Sequence, residues 1–221
     1  MPLVSVTGAD GDAVAVLSLE RAAKRNALSI ALRDEMSDAL DRLADDNTLR
    51  TLVVTGAGDT FCAGFDLDEF ADASLADRLW ASSDRWHRRV LTFPLPIVAA
   101  VNGAALGGGF DLAVMCDLRL ASPTARFAHP EHAFSQVVYG PLHDLVGGAV
   151  ARDLALTGRS VDAAEAVKLG LVSGVVPPDA LVEEATALAR EIAAAPRSVL
   201  LAMKAKISRR AGVALGATLD L

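Results

Sequence analysis

Short apolar runs alternate with amphipathic stretches along most of the chain. Ala13–Leu19 is apolar and ends in charged and breaker residues, which predicts a strand. Ser29 suits a helix N-cap. Ile30, Leu32, Met36, Leu40 and Leu43 follow at near-helical spacing, with Arg33, Asp34, Glu35, Asp38, Asp41 and Arg42 on other faces. This predicts a helix to about Asp46. Leu52-Val53-Val54 predicts a second, buried strand, closed by Thr55–Asp59. Asp66 stands where it can cap a short helix. Ser74–Leu91 reads as a longer helix with Leu79, Trp80, Trp86, Val90 and Leu91 inward, stopped by Pro94 and Pro96. Ile97–Val101 predicts a third strand, and Leu112–Cys116 a buried helix.

Between those two lies Ala105-Leu106-Gly107-Gly108-Gly109-Phe110-Asp111. Three consecutive glycines at a strand-to-helix junction are costly in chain entropy. A helix N-terminus offers unpaired N–H groups and the positive end of the helix dipole. An oxygen that gains negative charge during a reaction is stabilised at such a place. Tight strand–helix packing accounts for the glycines equally well, so both readings stay open here. Asp111 puts a carboxylate just past them.

Farther on, Asp117–Ala121 predicts a strand, and Phe127–Glu131 a short extended piece entering a turn. Phe134–Gly140 has no clear pattern. Val146–Leu156 predicts a helix despite two glycines, and Val161–Lys168 a short helix ended by Gly170. Val172–Val176 suits a strand. After Pro177-Pro178, helices are predicted to about Ala195 and from Pro196 to near Arg210. Strands alternate with helices and then give way to helices, so the fold class is α/β.

Composition narrows the function classes. With 221 residues, 52% hydrophobic and 22% charged, the chain suits one globular domain with a sizeable core. A net charge of −7 and the lack of a basic run disfavour nucleic acid. Cys62 and Cys116 form no CxxC pair, which suits a reducing compartment and a cytoplasmic location. No secretory leader pattern is visible, and Pro96, Asn102, the glycines and Asp111 interrupt the longest apolar region, so no membrane partner is expected. GxSxG, a phosphate-binding P-loop and GxGxxG after a strand are all absent. In His129-Pro130-Glu131-His132, Pro130 breaks any helical ligand face, so no metal is expected. His87 and His143 read as surface or ordinary packed histidines.

The chain resembles the enoyl-CoA hydratase/isomerase (crotonase) superfamily. The matching segments run in order from Lys24-Arg25-Asn26-Ala27-Leu28-Ser29 through Val54-Thr55-Gly56 and Phe61-Cys62-Ala63-Gly64-Phe65-Asp66-Leu67. They continue with Ile97–Gly103, Gly107–Leu112, Cys116-Asp117, Phe127, Pro130, Glu131, Leu156-Thr157-Gly158 and Ala166–Val172. The resemblance implies a spiral of ββα units with a helical C-terminal region: one domain over 1–221, a core to about 175, and helices over about 176–221, shorter than typical. It implies an acyl-CoA thioester as substrate, no cofactor beyond the CoA of that substrate, and a homotrimer or hexamer.

The resemblance also implies roles. The backbone N–H groups of Phe65 and Gly108 hold the thioester oxygen as it becomes an enolate. Asp111 and Glu131 form the acid/base pair, with Glu131 as principal base or acid. Lys24 and Arg25 approach the phosphates; Ala27, Ala63, Asp66 and Leu67 contact adenine and pantetheine, mostly through backbone. Gly107 belongs to the substrate-binding loop. Apart from the resemblance, His129 stands two residues before Glu131 and is a candidate support for it. The implied reaction is hydration of a 2-enoyl-CoA. Isomerisation, thioester hydrolysis, decarboxylation or CoA-thioester binding without efficient catalysis stand as alternatives. Two departures bear on the choice. Asp111 stands where hydratases have glutamate, and Phe134–His143 replaces a Pro-Gly-Ala-Gly-Gly loop that shapes the acyl pocket, which makes Tyr139 a candidate pocket or hydrogen-bonding group.

Overall fold

The computed structural model describes residues 1–8, 11–212 and 216–218. β1 (Val4–Thr7) and β2 (Val14–Leu19) pair antiparallel and lead into α1 (Ile30–Asp45). The next turn of chain is β3 (Thr51–Gly56), β4 (Thr60–Cys62), α2 (Leu67–Ala71) and α3 (Ala76–Leu91). β5 (Ile97–Val101), β6 (Ala104–Leu106) and α4 (Gly108–Met115) repeat it. β7 (Leu118–Ala121), β8 (Arg126–Ala128) and α5 (Gly140–Thr157) repeat it again. β9 (Val161–Asp162), α6 (Ala163–Lys168), β10 (Gly174–Val175), α7 (Leu181–Ala193) and α8 (Arg197–Ala211) follow.

The units interleave two sheets, ordered β1-β2-β3-β5-β7-β10 and β4-β6-β8-β9. From β3 to β8, each turn gives its first strand to the larger sheet and its second to the smaller. In the smaller sheet β4, β6 and β8 run parallel. The residues that leave these strands therefore emerge at one end: Ala63–Phe65, Gly107–Gly109 and His129–Glu131.

The main core fills the space between the sheets and α1, α3, α4 and α5, with Leu17, Phe61, Trp86, Phe110 and Phe127 fully enclosed. Burying such side chains contributes about 1.5–3 kcal/mol each. A second cluster covers the outer face of the larger sheet. There Leu181, Ala185, Ala189 and Ala193 of α7, spaced four apart, lie on Val14, Val53, Val98 and Ala100. Small side chains at that spacing let the helix approach closely. The helical C-terminal region thus does cover a sheet face.

Several expectations hold. Ser29 caps α1 by accepting from the Leu32 N–H, and Asp66 caps α2 by accepting from Asp68. Others need correction. β1 and β6 carry too little pattern in three or four residues to be seen. The glycines therefore follow β6, not β5, and the helix starts at Gly108 rather than Leu112. α3 begins at Ala76, after a 3-10 turn over Ala73–Leu75. α5 begins at Gly140 and is broken at Gly147, whose φ of 74° is closed to most residues. The strand over 172–176 shrinks to two residues. Arg33 is fully buried rather than on a polar face.

Candidate active site

The three connections at the end of the smaller sheet close around a cavity of about 220 Å³. Ala63, Gly64 and Phe65 line it from one side, Gly107, Gly108 and Asp111 from a second, and Pro130 and Glu131 from a third. A larger hollow of about 550 Å³ lies beside α4, α5 and α8 and holds none of the candidate acid/base groups.

The glycines let the connections touch. Gly64 adopts φ 88°, and a Cβ there would stand 2.7 Å from the Leu106 carbonyl oxygen. A Cβ on Gly109 would overlap the Cys62 carbonyl, so α4 starts directly against β4. The Gly107 carbonyl accepts from Phe110 and Asp111, which begins the helix. Among the described residues, the N–H groups of Phe65 and Gly108 donate to no partner. Both residues line the same cavity.

Phe65 is fixed from behind. The Arg33 guanidinium lies 4.5 Å from its ring centroid. Arg33 in turn donates to the carbonyls of Leu28 (3.0 Å) and Leu79 (3.2 Å). Burial pulls the Arg33 pKa down to about 10, still far above neutrality. Charge is tolerated there because the donors are occupied.

Asp111 and Glu131 sit in unlike surroundings. Asp111 is buried in the first turn of α4, and one carboxylate oxygen accepts from His129 Nε2 at 2.8 Å. His87 Nε2 stands 3.9 Å from the other oxygen. Burial alone would raise the Asp111 pKa. The bond from His129 and the charge of the imidazoles outweigh it and hold Asp111 below the usual range. His129 is raised: burial opposes its charged form, but the Asp111 carboxylate prevails.

Glu131 lies on a 3-10 turn over Pro130–Ala133, half-buried, with its carboxylate over Gly107. Its Oε2 is buried without a hydrogen bond among the described residues. Desolvation raises its pKa, with the negative charge of Asp111 adding to the effect. One oxygen of each carboxylate and a ring nitrogen of His129 lie within 4.8 Å of one another.

The sequence makes His129 a candidate support for Glu131; it is bonded to Asp111 instead. By sequence His87 reads as an ordinary histidine, whereas it is buried facing Asp111. Of the remaining candidates, Ala63 and Leu67 line the cavity with Phe65, Gly107 and Gly108. Lys24, Arg25, Ala27 and Tyr139 do not. Lys24 is exposed and pairs with Asp68 at 3.3 Å. Arg25, with φ 52°, accepts from the Ala63 N–H through its carbonyl. The Ala27 carbonyl accepts from Arg21 at 3.0 Å. The Asp66 carboxylate is engaged by Arg21 at 2.6 Å and by the α2 cap. Tyr139 stands at the start of α5 against His143, with ring centroids 5.5 Å apart. Cys62 and Cys116 are free and buried, and burial pushes both thiols up to about 12, which leaves them protonated and unreactive at neutral pH.

Comparison with known proteins agrees with this architecture. Residues 9–221 match the family described as enoyl-CoA hydratase/isomerase. A probable enoyl-CoA hydratase of Mycobacterium bovis is 39% identical over 201 residues, covering 89% of this chain and 78% of that one. The crystal structure of an enoyl-CoA hydratase from Bacillus anthracis superposes with a TM-score of 0.89 at 34% identity, over 96% of this chain and 85% of that one. A monofunctional enoyl CoA isomerase from M. smegmatis superposes with a TM-score of 0.83 at 29% identity, over 97% and 96%. With the match spanning nearly its whole length, the chain belongs to the enoyl-CoA hydratase/isomerase family.

Proposed function

We propose that this protein hydrates a 2-enoyl-CoA thioester. The observation that carries the reading is the convergence of two backbone N–H groups without partners among the described residues, Phe65 and Gly108, with one depressed and one raised carboxyl group on a single cavity. Backbone donors cannot be titrated away, and they stabilise the thioester oxygen as negative charge builds on it. Asp111, ionised, accepts a proton from water as the water oxygen attacks C3. Glu131, protonated, gives its proton to C2. Water has then added across the double bond, and proton transfer from Asp111 to Glu131 resets the site. Two carboxyl groups with pKa values pushed apart suit these opposite roles. The residues need no cofactor beyond the CoA already on the substrate.

Lys24 and Arg25, outside the cavity, are suited to the CoA phosphates. We assign the working form to the cytoplasm as a homotrimer or a dimer of trimers, which sizing by light scattering tests directly. No helix among the described residues is long and apolar enough to cross a membrane, which fits a water-borne thioester.

Double-bond isomerisation is the second reading. The bond from His129 already occupies one Asp111 oxygen, which favours a reaction run by Glu131 alone. Mixing the protein with crotonyl-CoA and following loss of the conjugated enoyl absorbance tests hydration. Asp111→Asn decides between the readings: it abolishes hydration, whereas an isomerase keeps shifting a 3-enoyl to a 2-enoyl thioester. Absence of either reaction would refute both.

A further inference from the structure

The chain holds seven Phe, two Trp and one Tyr, and four of these ten aromatic residues line the small cavity. They make a continuous edge-to-face series. Phe65 and Trp80 have centroids 6.4 Å apart at 82°, Phe70 and Trp80 6.3 Å at 77°, and Phe70 and Phe134 6.2 Å at 63°. Aromatic rings prefer such tilted contacts because the ring edge is positive and the face negative. A further flat ring entering the series would find faces and edges already presented to it. One end of the series is rigid, since Arg33 holds Phe65 from behind. The other end is uncovered: Leu67, Phe70 and Phe134 keep 68%, 37% and 66% of their surface exposed. Clustered exposed apolar side chains at a cavity mouth mark a surface that a ligand covers. Apart from Asp111 and Glu131, no charged side chain among the described residues lines the cavity, so nothing there would pair with a charged acyl tail.

We propose that the acyl group selected here is a flat aryl group conjugated to the thioester, an arylacryloyl thioester, in preference to an alkyl chain of equal carbon count. This rests on the hydratase reading. Water would add its oxygen to the carbon bearing the ring and its proton to the carbon beside the thioester. A rigid ring loses less rotational freedom on binding than an alkyl tail, which adds to the preference.

Binding and turnover separate the two claims. Calorimetric titration with 3-phenylpropanoyl-CoA and nonanoyl-CoA, which have nine acyl carbons each and no double bond to hydrate, reads the preference alone. The aryl thioester is expected to bind about tenfold tighter. Trp80→Leu and Phe134→Leu are each expected to cut that advantage to about threefold or less with nonanoyl-CoA little changed. Phe134 is exposed, so its replacement leaves the fold intact if the Trp80 variant does not. Equal or tighter binding of nonanoyl-CoA, or an aryl advantage that survives both variants, overturns the proposal. Absorbance assays with cinnamoyl-CoA and 2-nonenoyl-CoA then read hydration. Aryl-selective binding with neither thioester hydrated upholds the pocket and overturns the hydratase reading. Hydration of both with the alkyl thioester favoured in kcat/KM overturns the pocket and upholds the hydratase.

Discussion

Asp111 and Glu131 carry the same chemical group, both removed from much of the water, yet their acidities move in opposite directions. The helix start that holds Asp111 also supplies it with partners: His129 bonded at 2.8 Å and His87 facing it from α3. The short turn that holds Glu131 leaves Oε2 without a bond among the described residues. Burial with a hydrogen-bonded cationic partner favours the charged form; at Glu131 the nearby His129 charge acts without a bond, and burial prevails and favours the neutral form. One buried region therefore stores a base and the next stores an acid.

The sharpest way to break this comparison is to replace each carboxylate by its amide. Glu131→Gln keeps the shape and removes the proton. It is expected to lower kcat by about 10²–10⁴-fold, the usual contribution of a general acid, with KM nearly unchanged. Because the Glu131 pKa is raised, the wild-type rate should fall on the alkaline side, as pH passes through the elevated value, and not only near the ordinary carboxyl range. Steady-state kinetics with crotonyl-CoA across pH checks both points. A Glu131→Gln enzyme with an unaltered rate would mean that the raised group moves no proton.

The backbone half of the site provides a contrast to both carboxylates. Gly109→Ala drives a Cβ into the Cys62 carbonyl, so the start of α4 must shift and carry the Gly108 N–H with it. Displacing one such donor is expected to cost about 10²–10³-fold in kcat. The alkaline fall in rate should stay in place, since Glu131 stands on a separate turn. A shifted alkaline fall would show that the start of α4 sets the acidity of Glu131 as well.

His129→Gln tests what depresses Asp111. Glutamine keeps a donor and removes the positive charge. Loss of a charged hydrogen bond is expected to destabilise the fold by about 2 kcal/mol near neutral pH. The sign differs at the two ends of the pH scale. The depressed Asp111 contributes stability above the unfolded carboxyl pKa and loses it as pH falls through the lower folded value. The raised His129 contributes stability below the unfolded imidazole pKa and loses it as pH rises through the higher folded value. Urea midpoints measured across pH should therefore decline on the alkaline side in the wild type, and this His129-dependent decline should vanish in His129→Gln. In the variant Asp111 is less depressed, so the acid decline should be smaller and end at higher pH.

How much of this contrast was legible before folding follows from distance along the chain. The Ser29 and Asp66 caps, the glycine run and both carboxylates are local signals. Both caps sit at helix starts, and the glycine run opens α4 with Asp111 in its first turn. The His129–Asp111 bond joins residues 18 apart, and His87 comes from another helix, so spacing within one element could not reveal either. Arg33 misled for a related reason. Helical periodicity puts an arginine on the wet face, but here the carbonyls of Leu28 and Leu79 and the ring of Phe65 occupy it inside. β6 escaped because Ala104-Ala105-Leu106 has no alternation to read, although its parallel neighbours set the end where the site forms.

The smallest expected effect lies outside the cavity. Lys24 is exposed and paired with Asp68, itself largely in water, so Lys24→Ala should leave stability almost unchanged. If Lys24 holds a CoA phosphate, its loss weakens substrate and transition state alike. KM for crotonyl-CoA should then rise several-fold with kcat unchanged, the pattern of uniform binding. Added salt should shrink the difference between variant and wild type, because mobile ions screen an exposed charge. The carboxylate contrast predicts the reverse split, with the loss in kcat and a pH profile that moves. A Lys24→Ala enzyme with lowered kcat at unchanged KM would couple the entrance to the proton transfers, and the acid and base could no longer be treated as set by their buried surroundings alone.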